Sequence, residues 1–576
     1  MIKLRSILQP YRISVMIALT LMLVELTVEL LHPLLMAKII DDGILKEDMD
    51  VVMVWGAIMV GISLLAFASG MINSFYAAHV SQGFGFDLRK QLFVKVQSFT
   101  FEKLSKFPAA SLVTRMTNDI TQLQNTLFMG LRIMLRAPLL IIGSVIMSFF
   151  VNAQIAMIFA IVIPLVIGVL VWIMRKGSKM FHYVQSKLDQ VNDVLRENLI
   201  GMRLIKAYVR REHEVDRFKE ASSSLKDNTV KALRMIETSM PILLLIMNLG
   251  ILLILGIGQA QVTGGNVQVG EVVAIVNYGL RVTSALSMFS FIIMFLSRSR
   301  ASASRILEVL DVKEDVNHEG EVSGISDGKV FFDDVSFSYP GTEETVLKEI
   351  SFTANAGETI AVMGGTGSGK STLFQLIPRL YEVSSGMIYI DDQPINTLDM
   401  EFLRNQIGLV PQEAVLFSGE IENNIAWGNS HATDEQIISA AKAAQIHETI
   451  EKLPKKYKTK IGQKGVNLSG GQKQRLSVAR ALVRKPKILL LDDSTSALDV
   501  KTEKKLLDAL ESYSCTTMLI TQKISIAKLA DKILLLDEGR LIAEGTHQDL
   551  LKNSPLYQKI SQSQMKGEMA SVKTAN

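Results

Sequence analysis

Residues 364–371 read Gly364-Gly365-Thr366-Gly367-Ser368-Gly369-Lys370-Ser371, the pattern G-x-x-x-x-G-K-S. An apolar run, Thr359-Ile360-Ala361-Val362-Met363, leads into it. The following Thr372-Leu373-Phe374-Gln375-Leu376 reads as a helix. Strand, glycine-rich loop and helix in that order make a phosphate-binding loop. The glycines let backbone N–H groups wrap an anion, and the helix N-terminus adds a positive dipole end. Lys370 would reach the β/γ-phosphates and Ser371 would ligate Mg²⁺. The plainer alternative, a Gly/Ser turn between strand and helix, leaves the register of lysine and hydroxyl unexplained.

The first half of the chain is of another kind. Mean hydropathy is +0.27 over 576 residues, and the apolar residues concentrate before the loop. Residues 13–40 are long enough to cross a bilayer as a helix. Lys3 and Arg5 precede this stretch, and the acidic run Asp41-Asp42-Gly43-Ile44-Leu45-Lys46-Glu47-Asp48 follows it. Basic entry and acidic exit place the N-terminus in the cytoplasm. Further spans are expected near 51–78, 133–151, 155–174, 241–258 and 272–296. Two long basic stretches, 79–130 and 175–237, then belong inside. Val191, Val194 and Leu195 fall on one helical face, so these stretches read as helices continuing beyond the membrane.

Glu25, Glu29 and His32 share one face of the first span. Charges at membrane depth usually face an interior cavity. One reading is a polar wall of a substrate pathway that accepts cationic compounds. The other is a polar helix–helix contact near the outer interface. Arg132, Arg136 and Arg281 read as span ends, or as residues snorkelling to water. The net charge of +4 gives no concentrated basic stripe for nucleic acid. Cys515, the single cysteine, allows no intrachain disulfide. No cleavable signal peptide is expected, because the first apolar stretch is too long.

The second half carries more motifs. Ile488-Leu489-Leu490-Leu491-Asp492 is a buried strand ending in a carboxylate, the kind that holds the Mg²⁺ shell in phosphate-loop ATPases. Leu468-Ser469-Gly470-Gly471-Gln472 opens a second glycine-bearing helix. Leu468 to Gln472 resembles the signature of ATP-binding cassette (ABC) proteins. Tyr339 in Phe337-Ser338-Tyr339-Pro340 resembles the aromatic that stacks on adenine. Gln412 in Val410-Pro411-Gln412 resembles the glutamine touching Mg²⁺ and the attacking water, and Ser496-Ala497-Leu498-Asp499 resembles the dimer-contacting loop. Membrane half before cassette half resembles bacterial half-size ABC exporters of the multidrug type.

The resemblance implies an all-α membrane domain of about six helices (1–310), a linker (311–328) and an α/β phosphate-loop ATPase domain (329–576). It implies ATP, Mg²⁺ and a head-to-tail pair of cassettes, in which ATP lies between the phosphate loop of one chain and the signature of the other. It also implies a multi-pass cell-membrane protein with both termini and the ATPase domain cytoplasmic. Ile39-Ile40-Asp41-Asp42-Gly43, Thr114-Arg115-Met116-Thr117-Asn118-Asp119 and residues 201–218 resemble family segments, and the latter two are expected to contain the short coupling helices.

Three positions depart from the family pattern. Asp493 stands where active members carry glutamate, so its carboxylate falls roughly 1 Å short, a displacement that can cost on the order of 10²-fold in rate. Gln522 replaces a histidine that contacts the γ-phosphate; it can donate an amide N–H but carries no imidazolium charge. Gln463 replaces a glutamate that contacts the coupling helices. The first two changes fall on one composite site, whereas the signature is intact. The expectation is a chain that binds ATP at a slow site and pairs with a second half-transporter in a heterodimer. The expected cargo is a hydrophobic compound, with a lipid flippase as the nearest rival and a non-transporting ATP sensor as the alternative of another class. A peptide exporter is disfavoured, because no protease domain precedes the first span.

Overall fold

The structure, a computed structural model, describes residues 6–313, 324–511 and 513–574. Lys3, Arg5 and linker positions 314–323 lie outside the described residues. The chain forms two compact units, Met1–Ser98 with Pro108–Val312 and Phe99–Phe107 with Lys313–Asn576.

Among the described residues, the first unit contains six helices long and apolar enough to cross a membrane. They are α1 (Ser6–Ile44), α2 (Met49–Gln97), α4 (Ala109–Val151), α5 (Ala153–Ile200), α7 (Arg211–Thr263) and α8 (Val269–Leu310). Two short helices interrupt the series, α3 (Phe101–Ser105) and α6 (Met202–Ala207). Helix α2 has 49 residues, roughly 74 Å at ~1.5 Å per residue. A hydrocarbon core is only ~30 Å thick, so the polar stretches are indeed helical continuations of the spans. Side-chain caps sharpen the turns. Asn152 Oδ1 accepts from the N–H groups of Gln154 and Ile155 and starts α5 a single residue after α4 ends.

Leu26, Phe159, Val166, Met247, Ile254 and Val282 form the buried centre of this unit. Phe150 and Ile161 are exposed at 81% and 72%. Apolar side chains on both inner and outer faces are what a hydrocarbon solvent allows. Specific polar contacts link helices distant in sequence. Buried Asp41 accepts from the Gly270 backbone N–H at 2.7 Å, tying the end of α1 to the start of α8. Buried Asp119 in α4 accepts from Ser302 Oγ and Arg305 Nε of α8, both at 2.8 Å. Residues 114–119 therefore lie inside the continuous helix α4, with a π-helical turn at Arg115–Asp119. That corrects the expectation of a coupling helix there. The short helix in this region is α3, which belongs to the second unit: the Phe101 ring lies 6.2 Å from that of Tyr381, and Lys103 Nζ donates to the Lys313 carbonyl at 2.6 Å. Residues 201–218 do contain a short helix, α6.

The second unit is built on a four-stranded and a six-stranded sheet. The first joins β1 (Val330–Ser338), β2 (Thr345–Ala354), β4 (Ser385–Ile390) and β5 (Gln393–Pro394) in the order β2-β1-β4-β5. Within it, Asp391 accepts the N–H groups of Ser326, Asp327, Gly328 and Lys329 and fixes the chain entering β1. The second contains β3 (Thr359–Gly364), β6 (Ile407–Val410), β9 (Ile488–Asp492), β10 (Thr516–Ile520), β11 (Lys532–Asp537) and β12 (Arg540–Gly545), in the order β12-β11-β3-β10-β9-β6. The strands β7 (Gly419–Glu420) and β8 (Lys460–Ile461) pair separately. Strands β11, β3, β10, β9 and β6 run parallel. They are buried apolar runs, as parallel strands covered on both faces must be.

A Cβ added at Gly270 would lie 2.4 Å from the Ala37 carbonyl and from Asp41 Oδ2. Gly270→Ala should therefore force α1 and α8 apart and lower stability by about 1–3 kcal/mol, read as a shift in thermal unfolding of the detergent-solubilised protein.

Candidate functional site

The parallel sheet gathers the site at the carboxyl ends of three adjacent strands. β10 lies between β3 and β9, with Ile520 in register with Val362 on one side and Asp492 on the other. The phosphate loop follows β3, Asp492 ends β9 with Asp493 directly after it, and Gln522 follows β10. A ligand crevice outside the carboxyl ends of parallel strands is the general rule for such sheets. Here it is a cavity of ≈ 380 Å³ whose wall includes Tyr339, Lys370, Gln412, Asp492, Asp493 and Gln522. Thr366, Gly367, Gly369, Ser371 and Thr372 also line it.

The loop geometry follows from its glycines. Gly369 precedes α9 (Lys370–Leu376) with φ +93°, and a Cβ there would meet Leu347 Cδ2 at 2.5 Å. A side chain at this left-handed position would be strained and would crowd Leu347. Lys370 Nζ donates to the carbonyls of Gly364 and Gly365 at 3.0 and 2.6 Å. Ser371 Oγ donates to Asp492 Oδ1 at 2.9 Å. Hydroxyl and carboxylate oxygens brought together beside a basic side chain are hard donors of the kind Mg²⁺ takes alongside phosphate oxygens. Gln412 and Asp493 line the same cavity. Asp493 itself has φ +44°, an uncommon backbone for a non-glycine residue that aims its side chain from the strand end. Tyr339 Oη lies 2.9 Å from Thr372 Oγ1, which anchors the ring against α9.

Burial pushes Asp492 and Asp493 above the usual carboxylate range, while the Ser371 hydroxyl opposes the shift at Asp492 and the Lys523 charge opposes it at Asp493. Burial likewise pushes Lys370 down, against the opposing field of the two aspartates. Each shift marks a charge held out of water and short of a counter-charge.

The signature is built elsewhere. Ser469 caps α10 (Gly470–Leu482) in a capping box with Gln472, at 3.3 and 2.9 Å. Gln474 in the same helix accepts from the Ala497 N–H at 3.1 Å and so fixes the Ser496-to-Asp499 loop. Leu468, Ser469, Gly470, Gly471 and Gln472 do not line the cavity that holds Lys370, and Ser469 and Gly470 are exposed. Gln463 is exposed in a 3₁₀ turn, Gln463–Gly465.

Two contacts near the site escaped the sequence reading. Lys523 Nζ pairs with buried Glu503 at 2.7 Å. Gln564 of the C-terminal helix α11 (Pro555–Thr574) donates through Nε2 to the Gln522 carbonyl at 2.6 Å and accepts from the Ile524 N–H at 2.9 Å. It clasps the backbone on both sides of Lys523. No local pattern marks a lone glutamine in a polar helix for this task.

In the membrane unit, Glu25, Glu29 and His32 share one face, as expected, and line a cavity of ≈ 850 Å³. The wall is not simply acidic. Arg136 donates through Nη1 to Glu25 Oε1, and through Nη2 to Glu29 Oε2 at 2.7 Å. Arg281 Nη1 meets Glu29 Oε1 at 3.0 Å. Arg132, Arg136 and Arg281 all line the cavity. This corrects the reading of Arg136 and Arg281 as span ends or snorkelling residues: the carboxylates of α1 draw these guanidinium groups from α4 and α8 to the cavity wall, whereas Arg132 is exposed.

Six spans and an ATP-type phosphate loop in one chain define a membrane transporter with its own ATPase domain. The family description "ABC transporter transmembrane region" matches residues 15–302, and "ABC transporter" matches residues 347–496. The chain is 56% identical over 559 residues to "Uncharacterized ABC transporter ATP-binding protein YfiB" of Bacillus subtilis (strain 168), covering 97% of this chain and 98% of that one. It is 31% identical over 556 residues to an "ATP-dependent lipid A-core flippase" of Desulfotalea psychrophila, covering 95% and 96%. A solved structure of a bacterial Atm1-family ABC exporter with ATP bound superposes with a TM-score of 0.79 at 25% identity, covering 96% of this chain and 98% of that one. The chain belongs to the ABC transporter family, as a half-size exporter.

Lys370→Ala should weaken Mg²⁺-dependent ATP binding by about 10- to 100-fold, the loss of a charge-assisted contact of ~1.5–3 kcal/mol, measured by equilibrium titration with a fluorescent ATP analogue. Because Asp492 is raised by burial, it takes up its proton at a higher pH than an ordinary aspartate, and a protonated carboxyl is a poor ligand. Mg²⁺-dependent binding should therefore weaken as pH is lowered from neutral, earlier than ordinary carboxylate titration predicts. Gln564→Ala should slow ATP hydrolysis by the purified chain alone by about tenfold through misplacement of Gln522, with nucleotide affinity nearly unchanged.

Proposed function

We propose that this chain is one half of a heterodimeric exporter of hydrophobic compounds, that it binds ATP at a slow site, and that it lends an intact signature to its partner's faster site. The observation that carries this reading is the meeting of Asp493 and Gln522 in the cavity that also holds Lys370, Ser371 and Asp492. Both departures from the family pattern bear on one γ-phosphate position. The signature, by contrast, lies outside that cavity, with Ser469 and Gly470 exposed where a second chain can use them.

In this reading Tyr339 stacks on adenine. The backbone N–H groups of residues 364–372 wrap the phosphates, and Lys370 leaves its own loop carbonyls for the β/γ-phosphates. Ser371, Gln412 and Asp492 hold Mg²⁺, which when bound supplies positive charge to the phosphate oxygens. Asp493 would orient the attacking water and accept its proton, but from a carboxylate one methylene shorter than glutamate. Gln522 donates an amide N–H to the γ-phosphate without adding charge. Leu468, Ser469, Gly470, Gly471 and Gln472 cap the ATP held by the partner's phosphate loop. Nucleotide contacts made only in the closed pair shift the membrane helices between inward- and outward-facing states. Both termini and the ATPase unit lie on the cytoplasmic side, as the basic segments of the first half require.

The lipid A-core flippases among the relatives favour lipid movement as the second reading. ATP-dependent translocation in proteoliposomes, with a hydrophobic dye in one arm and a labelled phospholipid in the other, separates the two.

ATPase rates of the chain alone and of the assembled pair test the asymmetry. The chain alone should turn over about 10²-fold more slowly than the pair, and Asp493→Glu should recover much of that loss. A full rate from the chain alone, abolished by Asp493→Asn, would overturn the slow-site reading.

A further inference from the structure

The cavity between α1, α2, α4 and α8 has a charge balance that narrows its ligand. Both carboxylates on its wall are already engaged. Glu25 accepts from Arg136, and the two oxygens of Glu29 are divided between Arg136 and Arg281. A cation entering here would compete with charge-assisted pairs already made by both carboxylates. Three guanidinium groups face two carboxylates on the wall, leaving one positive charge in excess.

That excess is localised on Arg132. It lies one helical turn from Arg136 on α4 and lines the same cavity. Its side chain is exposed, and it makes no hydrogen bond or ion pair with any of the described residues. An ionised guanidinium left without a carboxylate partner on a cavity wall calls for a counter-ion, and its planar fork suits a phosphate, sulfonate or carboxylate. The rest of the wall is largely apolar, with Phe67, Phe75 and Phe128 among its residues. At ≈ 850 Å³ it lies within the range of pockets that enclose a small organic ligand.

We infer that this cavity takes an amphiphile with an anionic group, whose charge is received by Arg132 while its apolar body lies against the aromatic wall. The inference rests on the reading of the chain as an exporter of hydrophobic compounds and reverses the sign of the cargo that Glu25 and Glu29 suggested. Those two residues serve instead to hold Arg136 and Arg281 in place.

The test uses the nucleotide-free transporter, assembled as it exists, in neutral detergent. Three fluorescent dodecyl probes that differ only in head group are titrated by anisotropy: phosphate, trimethylammonium and an uncharged diol. The phosphate probe should bind at least about tenfold more tightly than the trimethylammonium probe, a difference of ~1.4 kcal/mol. Arg132→Gln should erase that preference and leave the diol probe unaffected, and Arg132→Lys should keep most of it. Inorganic phosphate at the probe's own concentration should not displace the phosphate probe. Equal or tighter binding of the trimethylammonium probe, a preference that survives Arg132→Gln, or full displacement by inorganic phosphate would each overturn the inference. Binding of all three probes without preference would sink this inference and leave the exporter reading standing. Failure of every probe to bind would remove the cavity as a cargo site and take that part of the exporter reading with it.

Discussion

The ATPase unit depends on one pairing, β10 between β3 and β9. Parallel registers on both edges of β10 bring three chain segments to one level at the carboxyl end of the sheet. The hydrogen bond from Ser371 to Asp492 spans 121 residues of sequence and exists only because of that order. Remove β10 from the centre and the loop, the carboxylates and Gln522 no longer share a cavity. The buried apolar side chains that force parallel strands together are thus also what assembles the phosphate site.

In the membrane unit the corresponding constraint is the cost of an unpaired charge at depth. Glu25 and Glu29 are tolerable in α1 because Arg136 and Arg281 reach them from other helices. The same economy explains Asp119, whose burial is matched by Arg305 and Ser302. Charges that hydrocarbon would reject become cross-links between helices, and their pairing fixes which faces of α1, α4 and α8 meet. Arg132 breaks this pattern, which makes it the informative residue of the cavity.

Much of the site was legible because its signals are local. The spacing of Gly364 to Ser371 is a property of eight consecutive residues, and the face shared by Glu25, Glu29 and His32 follows from helical period alone. Asp493 and Gln522 were also readable, each beside a strand end, as departures from a family pattern. The misreadings concern partners. Arg136 was assigned to a span end because nothing nearby in sequence explains it, whereas its carboxylates lie 107 and 111 residues away. The short helix beside Tyr381 was sought in residues 114–119 and lies at Phe101–Ser105, since an apolar pattern does not say where a long helix continues unbroken. Gln564 gave no signal, because its task is to hold a backbone segment far from it in sequence.

By itself, the sequence determined that this chain spans a membrane about six times and carries a phosphate loop in a strand–loop–helix setting. Those features are set by solvent transfer and by backbone geometry over short stretches. Only the tertiary structure decided which charges cancel in the membrane cavity, that Asp493 and Gln522 face the same cavity as Lys370, and that the signature residues are not part of its wall. Such facts depend on which distant segments pack together, and packing selects partners through buried area and charge neutralisation summed over the whole fold rather than through any local pattern.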